Sequence, residues 1–230
     1  VVLKNDKVEL TFDTKGGTIS KAIIKGFEDR DNKMDVTLFD QKTQQMNFML
    51  AGKNENIITK DLFFTPSNVT DSTLTLTAQA GNGGSIAFNY VLGKDYMLHF
   101  TFQVNGLNGM FAPNYKEMDI EWTELARQQE KGFTFENRYA TLTYKEKDGS
   151  TDYLSETSEK IDEKIETALD WVAFKNQFFS ATLIAKNDFA ANSLMTSIPQ
   201  EKGSGYLKQF NAKMKTAFDP SGMQPSEFEM

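Results

Sequence analysis

Strict alternation of apolar and polar residues is the feature that most constrains the fold of this chain. Val8, Leu10 and Phe12 fall on one face of an extended segment, with charged and hydroxyl side chains between them. The same alternation recurs in residues 73–77 and 85–92. A repeat of two residues is typical of half-buried strands, whereas an amphipathic helix repeats about every 3.6 residues. The pattern therefore predicts an all-β protein.

Glycine-rich turns separate these segments. Residues 13–17 read D-T-K-G-G and predict a hairpin turn with glycine at positive φ, and residues 81–84, 93–95 and 147–149 are further turn signals. Many short strands joined by such turns predict a large β-sandwich. Further strands are predicted at residues 18–27, 96–104, 138–144, 151–154, 161–168, 171–175, 178–186, 193–198 and 206–218.

At most one or two short helices are expected. Residues 124–131 are the fair candidate, with Thr123 as N-cap and Gly132 just past the end. No helix-length segment recurs between the strands, which argues against a parallel βαβ architecture. The mixed-charge residues 152–166 favour a solvated strand pair over an interaction face.

Composition permits a real core and excludes several functions. The 230 residues include 19 Phe, enough for one large β domain or two small ones. A net charge of −7 argues against nucleic acid as a partner and against a basic surface that binds anionic lipid. The absence of cysteine excludes disulfides and thiolate metal sites.

The two ends of the chain suggest a piece of a longer protein. It opens on the strand-like residues 1–4 without a signal peptide, and it stops within the alternating residues 226–230. The longest mainly apolar stretch, residues 178–185, is too short to span a bilayer. We therefore expect a domain cut from a longer chain.

Each candidate for chemistry has a simpler explanation. His99 is the single histidine, and it falls on the more polar face of its predicted strand, where a solvated position is favoured over a catalytic base. Asp29, Asp31 and Asp35 resemble a calcium loop, but Lys33 stands where a third ligand belongs, so a polar loop is favoured. The glycines of residues 81–84 precede no helix and predict a hairpin rather than a phosphate cradle. Residues 68–70 match a glycosylation sequon, a three-residue pattern that often arises by chance.

The aromatic residues are the remaining candidates. Trp122, Phe174, Phe178 and Phe179 could stack on sugars, but aromatic residues in strands are usually core, so core positions are predicted. Residues 171–174 are apolar on both faces of a strand, which predicts a strand buried between two layers. No catalytic, cofactor-binding or metal-ligating residue is therefore assigned.

Three ordered motifs resemble the periplasmic domain of YidC-type membrane protein insertases. Residues 171–173 read W-V-A and residues 177–179 read Q-F-F; residues 13–17 read D-T-K-G-G; residues 93–96 read G-K-D-Y. The terminal F-E-M is similar to the start of a late strand in that domain. The acidic composition, rich in Lys and Asn, suggests a Bacteroidetes-like source.

The resemblance implies that residues 1–230 form a single periplasmic β-supersandwich, similar to galactose mutarotase and excised from an inner-membrane protein. It implies no enzyme activity and no cofactor. It implies contacts with the Sec translocon and its accessory subunits, and with nascent membrane proteins through transmembrane parts outside this chain. The alternatives are a mutarotase-like or carbohydrate-binding β-sandwich, which would need a general acid and base, and a structural spacer without a partner.

Overall fold

The computed structural model describes residues 1–30, 33–81, 83–112, 114–156 and 159–230. Within these ranges the chain forms nineteen strands and one α-helix, with two single-turn 3-10 helices at Thr59–Asp61 and Asn108–Met110. The strands are β1 (Val2–Lys4), β2 (Val8–Phe12), β3 (Ile19–Glu28), β4 (Asp35–Phe39), β5 (Gln44–Leu50), β6 (Ile57–Ile58), β7 (Thr65–Ser67), β8 (Thr73–Gln79), β9 (Ser85–Leu92), β10 (Leu98–Asn105), β11 (Glu117–Arg127), β12 (Thr141–Glu146), β13 (Thr151–Tyr153), β14 (Ile161–Ile165), β15 (Leu169–Lys175), β16 (Ser180–Phe189), β17 (Ser193–Pro199), β18 (Tyr206–Ala217) and β19 (Ser226–Glu229), and the helix is α1 (Phe133–Tyr139).

Two antiparallel sheets make up the fold. Strands β1 to β4 form the smaller sheet in chain order. The larger sheet has fifteen strands, with a main path β6-β5-β11-β18-β16-β19-β10-β9-β8-β7. The strand β19 pairs with β10 on one side and with β16 on the other, so it joins the β7–β10 meander to the rest of the sheet. The predicted all-β sandwich with at most one or two short helices is confirmed.

Rings from several strands fill the core between the sheets. The alternating pattern places Phe88 and Tyr90 of β9, and Phe100 and Phe102 of β10, on the buried face. Phe48 of β5 stacks on Phe102 with ring centroids 5.5 Å apart. Each buried ring removes a large apolar area from water, so these contacts account for much of the stability of a chain with a low hydrophobic fraction.

The predicted hairpin turn after β2 is confirmed. Gly16 and Gly17 have φ of +88° and +71°, a region that side chains with a Cβ rarely adopt. A Cβ on Gly17 would also lie 2.9 Å from the ring of Phe64. The hairpin at residues 81–84 is confirmed as well, since β8 pairs with β9 and the Ala80 amide donates to the Gly84 carbonyl at 2.7 Å. Asn82 of that turn lies outside the described residues.

The helix predicted at residues 124–131 is wrong. Strand β11 runs through to Arg127. It pairs with β18 from Glu117 to Arg127 and with β5 from Asp119 to Glu124, and these ladders favour the strand over a helix. Gly132 is the N-cap of α1 rather than the end of a helix. The strand predicted at residues 138–144 therefore begins only at Thr141.

Residues 152–166 are largely exposed, as predicted, but they do not form a strand pair with each other. Strand β13 pairs with β12, and β14 pairs with β17. Thr157 and Ser158, between these two strands, lie outside the described residues. Strand β15 is buried on both faces at Val172, Ala173 and Phe174, as expected for a strand between layers.

Candidate functional site

A cleft of about 390 Å³ opens between the two sheets. Its walls are mainly apolar side chains from both sheets, and Tyr96 is the ionisable side chain among its described lining residues. The smaller sheet contributes residues such as Leu10 and Ile24, and the larger sheet contributes Leu98 and Ala181. Such a surface suits the binding of an apolar segment and offers little for acid–base chemistry.

Exposed aromatic residues form the rim of this cleft. Phe178 is 63% exposed, Phe27 is 49% exposed and Tyr96 is 47% exposed. The ring of Phe27 meets that of Phe179 edge-on, with centroids 5.4 Å apart, so the two sheets touch at the rim. Aromatic side chains exposed beside an apolar pocket are the residues that carry binding energy at protein interfaces.

Local hydrogen bonds hold the rim residues in place. The buried Asn176 carboxamide oxygen accepts from the Phe178 amide at 3.2 Å and from the Phe179 amide at 2.9 Å, a turn that Asn favours. On the other side, the Asn5 carboxamide nitrogen donates to the carbonyls of Gly93 and Asp95 at 2.9 and 2.7 Å. This contact fixes the turn that precedes Tyr96.

The prediction that Phe178 is a core residue is wrong. The predicted strand at residues 178–186 begins only at Ser180, because the Asn176 turn interrupts the alternation and directs Phe178 to solvent. Phe179 is half-buried at the cleft, whereas Trp122 and Phe174 are core residues, as predicted. The Trp122 and Phe174 rings stack with centroids 3.9 Å apart, and both residues are buried, so neither ring is open to a sugar.

A second group, Glu124, is a buried acid that sequence reasoning missed. It lies on the core face of β11, opposite Gln44 of β5, and is 3% exposed. One carboxyl oxygen, the side-chain nitrogen of Gln44 and the indole nitrogen of Trp122 have no hydrogen-bond partner among the described residues. Burial raises the pKa of Glu124 to about 8. The available signal in the sequence is the register of Glu124, which shares its face of the strand with Met118, Ile120 and Trp122.

Replacing Glu124 by Gln is expected to change how stability depends on pH. The folded-state pKa of Glu124 is raised from 4.5 to about 8, so the folded protein holds the proton more tightly than the unfolded chain. Stability should therefore fall as the pH rises from 4.5 to about 8. The variant should lack this fall and should be more stable than the native chain at the alkaline end, by about 4 kcal/mol.

Urea unfolding across that pH range measures the effect. Glu121→Gln is the matched control, because Glu121 lies on the outer face of the same strand, 3.3 Å from Lys213. Its removal should change stability by less than about 1 kcal/mol. Equal pH profiles for native chain and Glu124→Gln variant would show that Glu124 does not ionise in this range.

His99 is solvated, as the sequence favours. Its side chain is 53% exposed, and its Nδ1 atom lies 3.1 Å from the Glu229 carboxylate on the neighbouring strand. Glu124 faces the core, whereas His99 lies on the solvent face of β10. The single histidine and the buried acid therefore cannot act on one substrate as a general acid and base.

The other candidates also remain structural. Asp35 accepts a hydrogen bond from the Gly26 amide at 2.9 Å and belongs to β4, whereas Asp31 lies outside the described residues. Across the described ranges, no group of three or more His, Cys, Asp or Glu residues could hold a metal ion.

No helix in the described part of the chain is long and apolar enough to cross a membrane.

Comparison with solved structures identifies the class of fold. A galactose mutarotase related enzyme from Lactobacillus acidophilus superposes with a TM-score of 0.57 at 9% identity, covering 100% of this chain and 95% of the other. A putative aldose 1-epimerase from Escherichia coli K12 gives a TM-score of 0.55 at 10% identity, covering 99% and 96%. At this identity the likeness shows the fold alone, a galactose mutarotase-like β-sandwich.

Sequence comparison identifies the family. The profile of the YidC periplasmic domain matches residues 1–229. The membrane protein insertase YidC of Phocaeicola vulgatus is 50% identical over 228 residues, and that of Bacteroides fragilis is 41% identical over 227. The chain belongs to the YidC periplasmic domain family, and these relatives are Bacteroidetes. It spans 36% of the length of either relative, and 99% and 98% of it is matched.

Two of the segments that carry the family resemblance meet at the cleft. Tyr96 ends the G-K-D-Y motif, and Phe178 and Phe179 end the Q-F-F motif. All three line the same cleft although eighty residues separate the two motifs. The rim could not be predicted from either motif alone, because the G-K-D-Y motif by itself predicts a turn and the Q-F-F motif by itself predicts a strand.

Proposed function

We propose that this chain is a non-catalytic periplasmic interaction domain of an inner-membrane insertase. It forms one β-supersandwich domain over residues 1–230 of a longer protein, and it assists the insertion and folding of membrane proteins. Its partners are the accessory subunits of the Sec translocon, and the transmembrane remainder of the insertase handles nascent membrane proteins. Family membership supports this proposal, together with relatives named as membrane protein insertases.

The apolar cleft with its aromatic rim is the observation that carries the proposal. Phe27 and Phe178 expose large rings beside a cavity with walls from both sheets, a surface that a protein segment can cover. An apolar segment of a translocon subunit that enters the cleft would bury these rings. The described lining residues supply no acid–base pair, which supports a binding role over catalysis.

The alternative, a mutarotase-like or carbohydrate-binding protein, has the fold in its favour. A sugar-binding protein needs an accessible aromatic ring, but Trp122 is covered by Phe174. A mutarotase needs a general acid and base close together, but His99 faces solvent and Glu124 faces the core. Sugar titrations monitored by tryptophan fluorescence distinguish the two proposals. Saturable binding that is lost in a Trp122→Phe variant would favour the sugar-binding protein.

Photocrosslinking in living cells tests the interaction proposal. A photoreactive amino acid replaces Phe178 in the complete insertase, and a second strain carries it in place of Phe63. Phe63 is the matched control, because it is 73% exposed and does not line the cleft. Adducts with Sec accessory subunits are expected from position 178, at a yield several times that from position 63, because the cleft rim and not general exposure defines the contact.

A further inference from the structure

The helix α1 presents an unusual distribution of side chains. Its buried side carries Glu136, which is 0% exposed, whereas Phe135 and Tyr139 on its outer side are 55% and 39% exposed. The two exposed rings are four residues apart and meet edge-on, with centroids 5.2 Å apart. A surface helix normally turns rings inward and carboxylates outward, so this arrangement needs a reason.

Hydrogen bonds explain why the acid points inward. The Glu136 carboxylate accepts from the backbone amides of Gln129 and Glu130 at 2.8 and 2.9 Å. These contacts anchor the helix to the end of β11 and leave its outer face without a carboxylate. Asn137 is half-buried, and its side-chain carboxamide oxygen is buried without a hydrogen-bond partner in the described part of the chain.

The outer face is basic as well as aromatic. Arg138 is exposed between the two rings in the sequence, and the exposed Lys131 directly precedes the N-cap. Glu136 is the single acid in residues 131–139, and it faces inward. We call Lys131, Phe135, Arg138 and Tyr139 the helix patch.

We propose that the helix patch docks on the headgroup region of a phospholipid bilayer that contains anionic lipid. Aromatic rings partition to the boundary between headgroups and acyl chains, and Lys and Arg are attracted by the negative surface. This inference rests on the proposed function, because a domain of an inner-membrane insertase is held beside a bilayer. A contact there would orient the cleft relative to the membrane.

The net charge of −7 does not exclude such a contact. Charges on a protein surface are largely screened beyond about 8–10 Å in physiological salt, so carboxylates on remote strands weigh little against cations that touch the headgroups. Composition predicted no basic surface that binds anionic lipid, and the helix patch is a local departure from that average. The nearest exposed acid in the sequence, Glu130, lies just before Lys131.

Sedimentation of the 230-residue chain with lipid vesicles tests the proposal. One set of vesicles contains phosphatidylglycerol and phosphatidylcholine in equal parts, and the other contains phosphatidylcholine alone. The native chain should sediment with the first set and much less with the second. Arg138→Glu removes one cation and adds one anion, so it should lower the partition coefficient by more than the roughly fivefold expected for the loss of one cation. Phe135→Ser with Tyr139→Ser should lower it at least about tenfold.

Two controls keep the result specific. Phe63→Ser removes a ring that is 73% exposed elsewhere and should leave the partition coefficient unchanged. Phe27→Ser with Phe178→Ser removes the cleft rim and should also leave it unchanged. Equal sedimentation of the native chain with both vesicle sets, or unchanged sedimentation of the Phe135→Ser, Tyr139→Ser variant, would overturn the proposal. Crosslinking from position 178 would be unaffected by that failure, so the two proposals fail separately.

Discussion

Replacing Trp122 by alanine is expected to lower the free energy of unfolding by about 3–5 kcal/mol. Trp122 is 0% exposed in the middle of β11, and strands β5 and β18 pair with that strand on its two sides. Its ring stacks on Phe174, which in turn contacts Phe210 with centroids 5.4 Å apart. Because strands hold the backbone on both sides, the cavity cannot collapse, and most of the lost contact energy is not recovered.

Denaturant unfolding of the Trp122→Ala variant measures this loss. Phe178→Ala is the matched control, since Phe178 is aromatic but 63% exposed, and its removal should cost less than about 1 kcal/mol. A Trp122→Ala variant as stable as the control would show that the Trp122 site is not packed as described. The unfolding slope should stay the same in both variants if only stability has changed.

Gly222→Ala is expected to be the most damaging of the glycine substitutions. Gly222 has φ of +74°, and a Cβ there would lie 1.9 Å from the Val104 carbonyl oxygen, a backbone atom that cannot rotate away. The Gly222 carbonyl also accepts from the Gln103 side chain at 2.7 Å, which ties this loop to β10. A left-handed penalty of about 1–2 kcal/mol adds to about 1–3 kcal/mol of overpacking.

The Gly26→Ala variant separates the backbone penalty from the cost of overpacking. Gly26 has φ of +82°, but a Cβ there would meet nothing within 4 Å. The substitution should therefore cost only the backbone penalty of about 1–2 kcal/mol. Thermal unfolding of both variants should give a clearly larger loss for Gly222→Ala. Similar losses at the two positions would mean that the loop moves away from Val104 at little cost.

The sheets could be predicted from sequence because alternation and turn chemistry agree locally. Residues 73–79 and 85–92 alternate without interruption, and the glycines between them fix the hairpin. The pairing order could not be predicted in the same way. The contact of β19 with both β10 and β16 joins segments far apart in the chain, and no local pattern encodes that choice.

The error at residues 124–131 has a physical cause. Glu124 occupies a core position of β11. A polar residue at this position interrupts the apolar alternation from which a strand is predicted. Thr123 and Gly132 are residue types typical of a helix N-cap and of the position just past a helix end, so together they favoured a helix in the sequence. Strand pairing on both sides overrode these local preferences, and Gly132 serves as the N-cap of the helix that follows.

The cleft rim was less predictable than the core. Phe178 reads as a strand residue in a run of apolar positions, and only the Asn176 turn, with its two backbone contacts, directs it outward. Phe27 reaches the same rim from the smaller sheet. A site formed by side chains from two sheets depends on how the sheets pack, which sequence periodicity does not specify.

Crosslinking from position 178 in the complete insertase tests the central claim most directly. The interaction-domain proposal predicts adducts with Sec accessory subunits from position 178, several times more abundant than those from the exposed Phe63 position. Lower adduct yield on a Phe27→Ser background would further assign the contact to the cleft. Equal yields from both positions, or adducts from position 178 with no Sec subunit, would contradict the proposal.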